Sequence, residues 1–163
     1  VSEALAFQEQ NAVLYLRAEG HVTAGLCADL RERGFSRLED QPPVTAMYVD
    51  LSACDYMDST FLGLLVGFNK RLLRQAKKPI TIVRPTETAR ELLAGLGLSA
   101  LVAITDDAVP FPAGMADIVK TKSPGADLLL RAHENLMEIS EENRKRFAAL
   151  HSVLKNQIGE SEK

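Results

Sequence analysis

The sequence predicts an α/β fold: a mixed sheet of about five strands followed by a long C-terminal amphipathic helix. Three observations carry this. Two runs of alternating apolar residues stand next to each other near the N-terminus. A strand–helix–strand–helix–strand alternation follows between about residues 44 and 104. From Ala126 to Ile158 there is neither Pro nor Gly, and apolar residues recur every three or four positions.

In order, "ALAFQEQ" and "AVLYLRA" alternate with a period of two and are separated at Asn11, which reads as an antiparallel strand pair. Gly20 breaks the pattern. Thr23 caps a helix through "AGLCADLRERG", with Leu26, Leu30 and the stem of Arg33 on one stripe and Gly34 as its stop. "QPPVTAMYVDLS" opens with two prolines that bar a helix, then runs into a buried central strand from Val44 to Leu51. From Ser59 to Ala76 the spacing is helical, ended by Lys77, Lys78 and Pro79. "ITIV" is a short strand. "TETARELLAGLG" is a helix opened by Thr86 or Thr88 and closed by Gly95 or Gly97, and "ALVAI" is the last strand. Alternating strands and helices imply parallel pairing with right-handed crossovers.

After Asp106 the texture changes. "DDAVPFPAG" and "KTKSPG" read as a linker or a loosely packed segment over residues 108–125. Beyond it Leu129, Ala132, Leu136, Ile139, Asn143, Phe147, Leu150, Leu154 and Ile158 form one stripe, predicting a single helix of roughly 50 Å at 1.5 Å per residue. Its apolar stripe must be covered, either by the domain or by a second chain. The final "GESEK" is expected to fray.

Composition bounds the function. The 163 residues are 46% hydrophobic and 25% charged, enough for one domain with a core and an appendage. The formal net charge of -3, the absence of Trp and the 6% aromatic content argue against nucleic acid or an anionic membrane as partner. No apolar run reaches membrane-spanning length. Cys27 and Cys54 have no CxxC context and read as a reduced pair, so a cytoplasmic soluble protein is the expectation.

Catalytic and cofactor motifs are lacking. There is no GxxxxGK[ST] loop, and "GLG" at Gly95 to Gly97 is an incomplete dinucleotide fingerprint. His21, His133 and His151 are scattered without partners at metal-ligand spacing, and the last two are expected on the helix surface. There is no GxSxG elbow, and no His stands near Ser59 in sequence, which leaves only a distant His open as its partner. Neither a cofactor nor a metal is expected. "EENRKR" is mixed charge, read as a solvated face.

The stretch "DYMDSTFLGLL", Asp55 to Leu65, asks for more. A structural account suffices: Asp58 caps the helix by accepting orphan amides, and Ser59 and Thr60 are tolerated in its first turn. A functional account uses the same geometry. Thr60 stands near the positive mouth of the helix, where the dipole favours a phosphate by roughly 0.3–1 kcal/mol. Phosphorylation would place nearly two negative charges beside Asp55 and Asp58 and expel a docked partner without unfolding the helix.

The segments "VLYLRAEGHVTA", "VTAMYVDLSACDYMDSTFLGLL", "ITIVRP" and "TARELLAGLGLSALVAI" resemble a STAS domain of the bacterial anti-sigma factor antagonist family, over about residues 3–105. The family pattern D-[ST]-[ST]-G-[LI]-G meets Asp58, Ser59, Thr60, Phe61, Leu62 and Gly63 here. The resemblance implies a STAS domain over 1–107, with helices mainly on one face of the sheet and no catalysis by this chain. It implies an ATP-lid-type Ser/Thr kinase, itself the anti-sigma factor, as partner when the chain is unphosphorylated. Thr60 would be the acceptor that switches binding off, Ser59 the second choice, and a PP2C-type phosphatase would reverse the modification. Asp58, Ser59, Thr60, Phe61 and Gly63 would form the partner surface. Phe61 departs from the usual Gly; it would narrow kinase access, anchor a partner, or pack into the domain. Three further readings stay open. The helical extension, 126–163, could form a homodimer with Asn143 setting register, or fold back over the domain. The chain could be a scaffold or oligomerisation module of a signalling assembly, or transporter-associated, without phospho-switching. A small ligand could sit near Tyr15 or Tyr48.

Overall fold

The computed structural model of the chain describes residues 3–161. Alternation builds the N-terminal hairpin: β1 (Ala4–Gln10) and β2 (Val13–Val22) pair antiparallel through a two-residue turn at Asn11 and Ala12, both at positive φ. After a 3-10 turn capped by Thr23 come α1 (Cys27–Leu38), β3 (Ala46–Met57), α2 (Ser59–Ala76), β4 (Thr81–Val83), α3 (Glu87–Gly95), β5 (Ala103–Thr105), α4 (Ala126–Met137) and α5 (Glu141–Ser161). The strands lie in sequence order, β1-β2-β3-β4-β5, and every pair after the first is parallel. This is the mixed five-stranded sheet that the sequence predicts.

The pleat decides which face is covered. Leu14, Leu16, Ala18 and Val22 of β2, with Met47, Val49 and Leu51 of β3, are buried beneath the helices. Residues between them stay partly open: Tyr15 stacks on Tyr48 at 5.8 Å between centroids, Phe111 meets Tyr15 edge-on at 5.0 Å, and Arg17 pairs with Asp50 at 3.2 Å. Tyr15 and Tyr48 thus partner one another, and Tyr15 also meets Phe111. Cys27 and Cys54 are both free and buried; burial raises both thiols, that of Cys54 to about 11.

Four expectations change. Gly34 is interior to α1, which runs on to Leu38: a Cβ there would lie 2.5 Å from Cε1 of Phe68, so the glycine admits a ring rather than ending a helix. β3 continues past Leu51 to Met57, because Cys54 and Met57 keep turning inward while β2 stays paired through two register shifts. Asp58 is therefore the single residue between β3 and α2. The segment 108–125 is not a free tether: Ile118 donates to Leu5 O at 2.7 Å and Phe7 to Ala116 O at 3.3 Å, covering the open edge of β1. The single terminal helix is two. Ser140 accepts from the Asn143 amide at 3.0 Å, an N-cap that stops one helix and starts another, so α4 and α5 fold back on each other. Of the tail expected to fray, Gly159 to Ser161 continue α5, and Glu162 and Lys163 lie outside the described residues.

Candidate functional site

The site is built where β3 hands over to α2. Asp58 is in extended conformation, and its Oδ1 accepts from Phe61 N at 2.9 Å, the N-cap bond. Its Oδ2 accepts from Ala24 N at 2.9 Å, so one carboxylate also ties the β2–α1 turn to the mouth of α2. Burial pushes this carboxyl above its ordinary value, against the two amides and the nearby His133, which pull it down.

α2 is enclosed on all sides. Ten consecutive residues, Thr60 to Asn69, are buried, where a helix lying on one sheet would bury only a stripe. The extra cover is α4. Gly63 makes room for it: an ideal Cβ there would lie 2.1 Å from Ala132 O and 2.8 Å from Ala132 Cα. Asn135, one turn on, donates through Nδ2 to Gly63 O at 3.1 Å and stands beside Gly67. At the far end Lys70 pairs with Glu138. Asn143 is 1% exposed and donates through Nδ2 to Leu96 O and Leu136 O, both at 2.9 Å. Asn143 therefore staples the start of α5 to the ends of α3 and α4.

This packing sorts the residues expected to meet a partner. Phe61 is fully buried, so its ring belongs to the core. Gly63 faces the α4 backbone. Thr60 is only 4% exposed. Asp58 and Ser59 are the two that reach solvent, along a groove of about 380 Å³ lined also by Leu62, Arg146 and Phe147.

His133, expected on a helix surface, is instead 2% exposed. Its Nε2 lies 2.8 Å from Ser59 Oγ, its Nδ1 2.7 Å from Leu129 O, and its ring meets Phe147 edge-on at 5.1 Å. A carbonyl can only accept, so Nδ1 carries a proton, and in the neutral ring Nε2 accepts from the serine hydroxyl. Sequence reasoning missed His133, Ala132 and Asn135 as parts of this site. The available signal was the run from Thr60 to Asn69, apolar around its whole circumference and holding Gly63 and Gly67 four residues apart.

Among the described residues no cluster of three or more His, Cys, Asp or Glu is placed to hold a metal ion, and no helix is long and apolar enough to cross a membrane.

Comparison with known proteins agrees with the topology. The anti-sigma factor antagonist SpoIIAA in its unphosphorylated form is similar in structure, with a TM-score of 0.55 at 18% identity over 64% of this chain and 90% of that one. An anti-sigma factor antagonist from Mycobacterium paratuberculosis gives 0.54 at 18% identity over 65% and 87%. The Bacillus cell fate determinant SpoIIAA in its phosphorylated form gives 0.51 at 18% identity over 64% and 93%. The search of curated protein sequences gave no match. The family model described as the MlaB STAS domain matches residues 5–103, from β1 to the start of β5, and leaves α4 and α5 outside. With that match over more than half its length, and with the mixed sheet and Asp58-capped α2 in place, the chain belongs to the STAS-domain family.

Proposed function

We propose that this chain is a non-catalytic regulatory module of the anti-sigma factor antagonist type. Unmodified, it binds an ATP-lid-type Ser/Thr kinase that serves as anti-sigma factor; phosphate on a first-turn hydroxyl of α2 ends that binding, and a PP2C-type phosphatase restores it. The observation that carries the reading is the Asp58-capped mouth of α2 with Ser59 and Thr60 in its first turn, set directly after β3. Similar folds described in both unphosphorylated and phosphorylated forms support it. Motif position designates Thr60. Because Thr60 is 4% exposed, the packing around the mouth of α2 must open for a kinase to reach it and the partner surface formed by Asp58, Ser59, Thr60, Phe61 and Gly63.

The deciding experiment incubates the full chain with an ATP-lid kinase of its own organism and ATP, read by intact mass and pull-down. One added phosphate on the α2 first turn, and loss of the complex on modification, are expected. Thr60→Ala keeps kinase binding and resists modification at that residue, whereas Thr60→Glu loses most binding. A stable complex indifferent to ATP and to both substitutions refutes the switch.

The burial of Thr60 and the close approach of Gly63 to Ala132 favour a second reading. Here the extension covers the site permanently, and the chain is a scaffold within a signalling or transporter-associated assembly. Leu150 and Val153, 40% and 53% exposed on α5, are then the surface for a homodimer. Light scattering on the full chain tests this; a monomer mass at high concentration removes it.

A further inference from the structure

Arg31 of α1, Lys70, Arg71 and Arg74 of α2, and Arg131 of α4 line one cleft of about 340 Å³. Among the described residues no acid lines it. The chain as a whole carries a formal charge of -3, so five cations from three helices on one cavity run against its composition. Cations toward the C-terminal end of α2 balance its dipole. That accounts for Lys70, Arg71 and Arg74 but not for Arg31 and Arg131, which reach the same space from other helices. The acids nearby stand outside the lining. Arg31 and Arg131 share Asp127 at 3.2 and 3.4 Å, Arg131 also meets Glu134 at 2.9 Å, Arg71 pairs with Glu39 at 3.2 Å, and Lys70 pairs with Glu138. The side chains of Asp127, Glu39 and Glu138 are more than half exposed. Exposed pairs of this kind contribute little to stability, so they exchange readily for a stronger anion. Arg74 is exposed and forms no ion pair among the described residues.

We infer that this cleft binds a small, soluble polyanion carrying two or more phosphate groups, and recognises it through those groups alone. A concave space of this size takes a small molecule. Guanidinium forks beside a lysine point charge match phosphate oxygens. The single ring of the cleft, Phe35, is covered by the Arg71 guanidinium at 3.5 Å from its centroid and meets Phe68 edge-on at 5.4 Å. No ring is left for a nucleobase to stack on. When the ligand enters, Asp127, Glu39 and Glu138 give up their cations and turn to solvent. Because α1 and α2 belong to the residues matched by the family model and α4 does not, the ligand fastens the extension onto the domain. The cleft is also remote from the mouth of α2: Lys70 stands about 15 Å along the helix from Thr60. The inference goes beyond the proposed function and needs neither a kinase nor a modified hydroxyl.

The test titrates inorganic pyrophosphate into the full chain by calorimetry at fixed ionic strength. One-to-one binding is expected, with residues 126–137 gaining protection in hydrogen exchange. Arg74→Gln and Arg131→Gln, both at exposed positions, are each expected to weaken binding about tenfold, the scale of one lost charge-assisted contact. Asp127→Asn removes the carboxylate that competes for Arg31 and Arg131 and is expected to tighten binding several-fold, an effect that a purely structural ion pair would not give. Lys145→Gln, an exposed cation of α5 outside the cleft, is expected to change nothing. ADP, which adds a nucleoside to the same diphosphate, is expected to bind no more tightly. Absence of saturable pyrophosphate binding overturns the inference. So does an affinity that Arg74→Gln and Arg131→Gln leave intact, or that Lys145→Gln lowers equally. Tighter binding of ADP overturns recognition through phosphate alone, and binding to phosphatidic acid vesicles without binding to pyrophosphate overturns the soluble ligand. The wild-type titration and exchange map decide even where a variant fails to fold.

Discussion

Replacing Gly63 by alanine tests whether α4 truly lies on α2, because the two alternatives predict opposite signs. In a helix free on that face, Gly→Ala stabilises by about 1 kcal/mol through propensity. In the docked structure the new methyl would stand 2.1 Å from Ala132 O and 2.6 Å from Ala132 C. Both atoms are backbone, so no rotamer change relieves the clash. Restoring contact at about 3.5 Å needs α4 to move by on the order of 1 Å. Such overpacking costs about 3 kcal/mol, at the upper end of its usual range, because a whole helix must yield. The same shift stretches the 3.1 Å bond from Asn135 to Gly63 O, a further loss of about 1 kcal/mol. Set against the propensity gain, Gly63→Ala is expected to destabilise the full chain by about 3 kcal/mol. Urea denaturation of wild type and variant measures it. Hydrogen exchange over 126–137 is expected to show α4 losing protection while β2 and β3 keep theirs. A variant stabilised by about 1 kcal/mol, with α4 protection unchanged, would refute the docked arrangement.

Three further outcomes follow from the same geometry. Asn143→Ala leaves the carbonyls of Leu96 and Leu136 without their amide partner; a cost of about 1–3 kcal/mol is expected by denaturant titration, with exchange quickening in α4 and α5 before α2. Asp58→Ala removes the cap of α2 and the tie to Ala24, and a loss of about 1–2 kcal/mol is expected by thermal denaturation. Glu134 is held below its ordinary carboxyl value by its bond from His151 and then by Arg131. A lowered folded-state value means the unfolded chain binds the proton more readily, so this contribution is present above pH 4.5 and is lost as pH falls through the folded value. Stability of the wild type is expected to fall with acid below pH 4.5 more steeply than that of Glu134→Gln, as read by urea midpoints at stepped pH.

The elements that local chemistry controls were legible in the amino-acid order. Alternation marked β1 and β2, Asp58 and Thr86 marked the starts of α2 and α3, and the D-S-T stretch marked the first turn of α2 as the place to look. Ser140 caps α5 just before Glu141 and Glu142, but the unbroken apolar stripe through it reads as one helix. What tertiary structure decided is the relation between the two parts of the chain. An amphipathic stripe states that a face must leave water without stating what will cover it, because burial rewards any apolar surface of matching shape. Here the match was the glycine-lined side of α2 and the Ala132 side of α4. That choice joins Ser59 to His133 across 74 positions of sequence, a consequence of shape complementarity between distant segments that no local propensity encodes.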